Sequence, residues 1–188
     1  MRRLLNLPNL LTLARLLAAP WVAACILRQA HGQALVLLAV AGLTDALDGY
    51  LARRLGCSTH FGAYLDPIAD KVLLVTVFVS LGIAGLIPGW LVMVVVGRDL
   101  LILVFAGVAF LTTHYRRFDP SVWGKLSTLV QILTGVVVIG SQVFPWPALL
   151  VWVAVLPVVT AVTTVWSGLH YAWRAVETLY GPHRSGAD

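Results

Sequence analysis

The chain has 188 residues, 60% of them hydrophobic and 11% charged, and its mean hydropathy of +0.90 excludes an ordinary water-soluble domain. Its two cysteines, Cys25 and Cys57, exclude a disulfide framework and a zinc set. The net charge of +5 suits anionic lipid heads better than nucleic acid, because the basic residues stand at the ends of apolar runs and form no patch.

Six apolar runs can be drawn, at about 10–28, 33–52, 68–87, 90–112, 126–144 and 148–172, each near the roughly 20 residues that cross a bilayer. In hydrocarbon, every backbone polar group must be satisfied within its own segment, so the many valines do not argue for strands. The predicted fold is an all-α integral membrane domain of six transmembrane helices spanning residues 1–188. Residues 1–9 are expected to form a short interfacial segment with Leu4, Leu5 and Leu7 in the headgroup layer. Arg2-Arg3, an apolar run and Val22-Ala-Ala-Cys25 resemble a cleavable lipoprotein signal, but Asn6, Pro8, Asn9, Thr12 and Arg15 interrupt the core such a signal needs. Turn signals at His31-Gly32, Gly56-Cys57-Ser58, Pro88-Gly89, Asp119-Pro120 and Pro145-Trp146-Pro147 separate the runs.

Basic residues collect at the N-terminus (Arg2, Arg3), the second connection (Arg53, Arg54), the fourth (Arg116, Arg117, Lys125) and the tail 174–188 (Arg174, Arg184). The first connection carries only Arg28, and the third and fifth carry none. The positive-inside rule therefore turns both termini and the second connection toward the cytoplasm.

Four of the eight acidic residues fall between Asp45 and Asp70, where a carboxylate beside lipid-facing segments is costly and so marks a site. The stretch reads Asp45-x2-Asp48-Gly49-x2-Ala52-Arg53-x8-Gly62-x3-Asp66-x3-Asp70. On helices, Asp45 and Asp48 are i,i+3 neighbours and Asp66 and Asp70 are i,i+4 neighbours. Two such helices face to face gather four carboxylates, and small residues let a ligand approach the backbone. Like charges at that density call for one or two divalent cations, and oxygen-only donors favour Mg²⁺ or Mn²⁺ over zinc.

This pattern resembles the signature of the CDP-alcohol phosphatidyltransferases, with every fixed position met. A looser likeness runs from Asn6-Leu7-Pro8-Asn9-Leu10-Leu11-Thr12 to the last apolar run. The resemblance implies transfer of a phosphatidyl group from CDP-diacylglycerol to an alcohol, with release of CMP, in anionic phospholipid synthesis. It implies a homodimer in a bacterial inner membrane, with the active site facing the cytoplasm. Carried over, Asp45, Asp48 and Asp66 are metal ligands. Asp70 is the general base and also contacts the second of two Mg²⁺ or Mn²⁺ ions. Asp48, Gly49, Ala52, Arg53 and Gly62 line the CDP pocket.

For the acceptor, the resemblance leans to phosphatidylglycerol and hence cardiolipin. The glycerol 3-phosphate enzymes are expected to carry Arg-Glu in the fourth helix and again about a turn and a half later; here Arg98-Asp99 stands at the first place and the second is absent. The stretch Pro120 to Gln131 also looks closer to cardiolipin synthases. Glycerol 3-phosphate is the alternative. A membrane prenyltransferase would need more helices and widely separated Asp motifs, and an ion pathway would set carboxylates deeper and away from Arg53 and Arg54.

Other polar residues have two readings each. Asp66-Pro67 could be a helix start aimed at phosphate, as well as a ligand. Arg53 reads as a phosphate arm and Arg54 as an anchor. Lys71 could neutralise the carboxylates or snorkel. Arg15 could line a cavity, be satisfied near the interface, or pair with a motif aspartate. Arg98-Asp99 is either a self-satisfied pair or the wall of an acceptor cavity. Lys125 and Gln131 are expected to touch the acceptor headgroup. His60, in the spacer of the motif, is the one histidine considered for a role. Trp90, Trp123, Trp146 and Trp173 read as interface anchors, and Gly107, Gly135 and Gly140 as close-packing positions.

Overall fold

The computed structural model describes the backbone of residues 7–55, 60–112 and 122–180, and the side chains of 13–44, 68–104 and 122–173. Its elements are six helices: α1 (Leu7–Leu27), α2 (His31–Leu55), α3 (His60–Ile83), α4 (Gly89–Thr112), α5 (Val122–Val143) and α6 (Pro147–Tyr180). There is no strand among the described residues. The helices form a ring in the order α1, α2, α5, α6, α4, α3, back to α1, and α3 touches α5 across it.

Two helix ends share one stop device. After α1, Gln29 takes a left-handed φ of 60°, while its N–H bonds Ile26 O at 3.0 Å and the Ala30 N–H bonds Cys25 O at 2.8 Å. After α3, Gly85 takes φ 71°, and the Gly85 and Leu86 N–H groups bond Gly82 O and Leu81 O at 3.1 and 2.9 Å. Both are Schellman caps, which satisfy carbonyls that the helix itself leaves open. Gly85 adopts that backbone freely, whereas Gln29 does so against a Cβ penalty. At the other end of a helix, Pro147 opens α6, where its missing N–H costs nothing.

The helix bounds correct the sequence reading at four places. α1 starts at Leu7, so residues 7–9 belong to it, and the rest of the expected interfacial segment lies outside the described residues. His31-Gly32 opens α2 and is not a connection. α3 begins at His60, so Asp66-Pro67 is not a helix start: six residues of helix precede Asp66. α6 runs on to Tyr180, which makes the first part of the expected tail helical.

Apolar side chains from five helices meet in the core, among them Val22, Ile26, Phe78, Leu81, Leu91, Val95 and Ile139. The outward faces are apolar as well: Trp21, Met93 and Leu103 are 70%, 70% and 72% exposed. On α6 the pattern is inverted relative to a soluble helix. The stripe Pro157, Thr160, Thr164 and Ser167 is buried, while Val158, Val162, Val165, Trp166 and Leu169 face outward. Small and hydroxyl residues inside with apolar residues outside is how helices pack in lipid, where burial of apolar surface gives no advantage over exposure. α5 and residues 147–173 of α6 are long and apolar enough to cross a bilayer, and Leu13–Leu27 and His31–Thr44 are shorter apolar stretches.

Candidate active site

A cavity of about 360 Å³ opens among α1, α2, α3 and α5, within the size range of small-ligand sites. Its walls are mostly aliphatic, with Leu38, Leu74 and Val77 among them, and its polar members are Arg15, Asp70, Lys71, Thr128 and Gln131. On α2 the lining residues Leu38, Ala41 and Gly42 lie on a stripe that the helical register continues through Asp45 and Asp48. On α3, Asp66 precedes Asp70 by one turn. The backbone thus carries both halves of the motif on helices that border one space. The side chains of Asp45, Asp48, Gly49, Ala52, Arg53, Gly62 and Asp66 lie outside the described residues.

Asp70 is fixed by a residue far away in sequence. Arg15, with 3% of its side chain exposed, ion-pairs through Nη1 with Asp70 Oδ1, and the Asp70 side chain is 49% exposed. A guanidinium inside an apolar helix is costly unless a carboxylate compensates it. Of the readings open for Arg15 in the sequence, the structure brings it both to the cavity and to a motif aspartate.

Lys71 departs from both of its readings. It borders the cavity, but its Nζ lies 2.6 Å from Asp99 Oδ1, on α4. Arg98 Nη1 donates to the same oxygen at 2.9 Å, Arg98 Nη2 donates to Ser167 Oγ at 2.6 Å, and the guanidinium carbon lies 5.8 Å from the centre of the Tyr171 ring. Arg98 and Asp99 are therefore a largely buried pair at the α3–α4–α6 junction, outside the cavity lining and joined to its rim through Lys71. Gly124 on α5 packs closely against that junction: a Cβ there would stand 3.2 Å from Tyr171 and 3.3 Å from Arg98, so those side chains would have to give by a few tenths of an ångström. Lys125 is exposed on the first turn of α5, whereas Gln131 is wholly buried and borders the cavity.

Between α5 and α6 runs a ladder of neutral polar groups; the sequence reading places its member Gln131 at the acceptor headgroup and not in such a seam. Ser127 and Thr164 are 3.2 Å apart, Thr134 and Thr160 are 2.6 Å apart, and Gln131 Nε2 donates to Ser127 Oγ at 3.3 Å and Thr164 Oγ1 at 3.1 Å. The four hydroxyls recur at helical spacing in two adjacent runs, a signal that could have marked this seam. Of the three glycines read as close-packing positions, Gly135 faces Val77, which a Cβ there would meet at 3.4 Å, an ordinary van der Waals contact. Gly140 has nothing within 4 Å, and the surroundings of Gly107 lie outside the described residues. Trp90, Trp123, Trp146 and Trp173 are all exposed, near helix ends or, for Trp173, at the end of the apolar part of α6.

Among the described residues no three metal-binding side chains cluster. The donor set still fits a hard divalent cation: carboxylate oxygens alone, two on α2 and two on α3, each pair one turn apart.

The sequence profile of the family described as CDP-alcohol phosphatidyltransferase matches residues 5–166. The chain is 36% identical over 187 residues to a probable phosphatidylglycerophosphate synthase of Mycobacterium tuberculosis (strain CDC 1551 / Oshkosh), covering 95% of this chain and 86% of that one. It is 30% identical over 192 residues to a CDP-diacylglycerol--glycerol-3-phosphate 3-phosphatidyltransferase of Bacillus subtilis (strain 168), covering 92% and 98%. It is 31% identical over 199 residues to a CMP-forming cardiolipin synthase of Rattus norvegicus, covering 94% and 64%. Members of this family generally use divalent metal ions. With the motif complete, its helices bordering one cavity and the profile matched along most of the sequence, the chain belongs to the CDP-alcohol phosphatidyltransferase family and is a membrane enzyme.

Proposed function

We propose that the enzyme transfers the phosphatidyl group of CDP-diacylglycerol to phosphatidylglycerol, releasing CMP and forming cardiolipin. The observation that carries this reading is the placement of Asp70, half exposed on a cavity whose walls are otherwise mostly aliphatic. Such a space suits an acceptor that is itself a lipid. Asp99 beside Arg98, where the glycerol 3-phosphate enzymes are expected to carry glutamate, agrees with it.

In the mechanism, Asp70 takes the proton of the acceptor hydroxyl as the new oxygen–phosphorus bond forms and the bond to CMP breaks. Arg15 holds Asp70 on the cavity side of α3. Two Mg²⁺ or Mn²⁺ ions, held by Asp45, Asp48, Asp66 and Asp70, would offset charge on the diphosphate and on the departing CMP. Asp48, Gly49, Ala52, Arg53 and Gly62 line the CDP pocket. Gln131 meets the acceptor within the cavity, Lys125 meets its headgroup from the first turn of α5, and Arg98 holds Asp99, which in turn holds Lys71 at the cavity rim.

In the same proposal residues 1–188 form one domain of six membrane spans with both termini and the active site toward the cytoplasm, in a bacterial inner membrane, as a homodimer with one site per subunit. Basic residues at the second and fourth connections support that orientation.

Glycerol 3-phosphate is the second reading, favoured by the matches over most of both chains to a probable phosphatidylglycerophosphate synthase and to a CDP-diacylglycerol--glycerol-3-phosphate 3-phosphatidyltransferase. The purified enzyme, given CDP-diacylglycerol and Mn²⁺, should release CMP when phosphatidylglycerol is added. It should not do so with inositol phosphate or serine. Release with glycerol 3-phosphate alone would move the assignment to the second reading, and release with no acceptor at all would defeat both.

A further inference from the structure

Gln131 holds more hydrogen-bonding capacity than its neighbours use. It is fully buried, and both amide hydrogens are spoken for, by Ser127 one turn back on α5 and by Thr164 across the seam on α6. Among the described residues its carbonyl oxygen, Oε1, has no donor, although such an oxygen offers two lone pairs and is costly to bury unpaired. The next rung of the ladder shows what helix adhesion alone requires. Thr134 and Thr160 share a 2.6 Å contact, and the Thr134 hydroxyl also reaches Val130 O at 2.8 Å. Two short hydroxyl side chains suffice there, and each has a partner. At position 131 the longer amide brings a carbonyl that the seam does not engage, on a residue that borders the cavity shared with Asp70.

We propose that Gln131 is a specificity-determining residue whose Oε1 accepts a hydrogen bond from a second, non-reacting hydroxyl of the acceptor, while Asp70 receives the proton of the reacting one. The site thereby selects headgroups with two neighbouring hydroxyls, that is, an unsubstituted 1,2-diol end of a glycerol unit. This rests on the phosphatidyltransferase reading above and deepens it, and it holds for either acceptor considered there, since both carry that diol. A pocket that hydrogen-bonds a substrate hydroxyl discriminates strongly against the analogue lacking it, because the buried protein group is then left unpaired.

The test compares phosphatidylglycerol with phosphatidyl-1,3-propanediol, which keeps the terminal hydroxyl and lacks the secondary one. If glycerol 3-phosphate is the working acceptor, 3-hydroxypropyl phosphate takes that place. The wild type should favour the diol by about 100-fold in kcat/KM, the factor expected for leaving one buried hydrogen-bond acceptor unpaired. Gln131→Leu should lose roughly that factor with the diol and less than about threefold with the deoxy acceptor, at an unchanged KM for CDP-diacylglycerol. Equal losses with both acceptors, or an undiminished preference in the variant, would overturn the role of Gln131. If the leucine variant does not accumulate in membranes, the wild-type comparison still decides, since equal kcat/KM for the two acceptors overturns the proposal. In that case CMP release itself leaves the phosphatidyltransferase reading standing, whereas no CMP with any acceptor defeats both.

Discussion

The junction of α1 with α3 and the seam between α5 and α6 both bury polar side chains in an apolar bundle, and they do so with different chemistry. Along the seam the groups are neutral, short and matched across the helices, as in the Thr134–Thr160 and Ser127–Thr164 contacts. At the α1–α3 junction the groups are charged, one partner is sunk in the bundle and the other is half exposed on a cavity. Neutral pairs hold helices together at small cost, so they say little about function. A charge kept at the edge of a cavity is too expensive to serve as adhesive and indicates what the cavity handles. Gln131 belongs to both regions, which is why its unsatisfied oxygen stands out from the rest of the seam.

The sharpest way to break this contrast is at Asp70. Asp70→Asn should lower turnover by about 10³-fold or more, since it removes the base, while binding of CDP-diacylglycerol in the presence of Mn²⁺ stays largely intact. Asp48→Asn should instead lose that metal-dependent binding. Equal activity retained by both variants would end the assignment of the motif. Next in size, Arg15→Gln should cost about 100-fold in kcat, in line with a misplaced reacting group. Arg15→Lys should recover part of that loss, and a variant affected only in KM would show that Arg15 does not position Asp70. On the seam the scale drops. Thr134→Val should destabilise the protein by about 0.5–1 kcal/mol with kcat unchanged, measured as a shift in unfolding in detergent. The smallest effect is expected at Gly140→Ala, within about 0.5 kcal/mol of the parent because no atom stands near the added methyl group; a large loss there would point to packing that this bundle does not contain.

Much of this arrangement is legible in the linear sequence, for reasons that also set its limits. Hydropathy marks the helices because lipid requires long apolar segments, so each of the six runs corresponds to a helix. Their ends are harder to read. Pro67 resembles a helix start, yet α3 begins at His60. The stop after α1 falls on Gln29, a residue with no special preference for a left-handed backbone. The four motif aspartates are conspicuous because acidic residues are scarce in the chain. Their partners are not: Arg15 reaches Asp70 across 55 positions, and Lys71 passes over the carboxylate beside it for Asp99 on α4. Those choices depend on which helices are neighbours in the ring, and periodicity within one helix carries no such information. Gln131 reads as polar and near the headgroup, but its idle carbonyl becomes visible only once Ser127 and Thr164 have claimed the amide nitrogen.

The length of α6 has a consequence for where this enzyme can work. At 34 residues it measures roughly 51 Å, against about 30 Å of hydrocarbon. In the six-span arrangement proposed above, its final turns stand clear of the acyl region or the helix leans. The hydroxyls of Thr160, Thr164 and Ser167 are locked to its neighbours, so leaning would drag the cavity wall with it. Bilayer thickness would then act on the enzyme as a mechanical load, and lipids of different chain length should tune its rate without touching the reacting atoms.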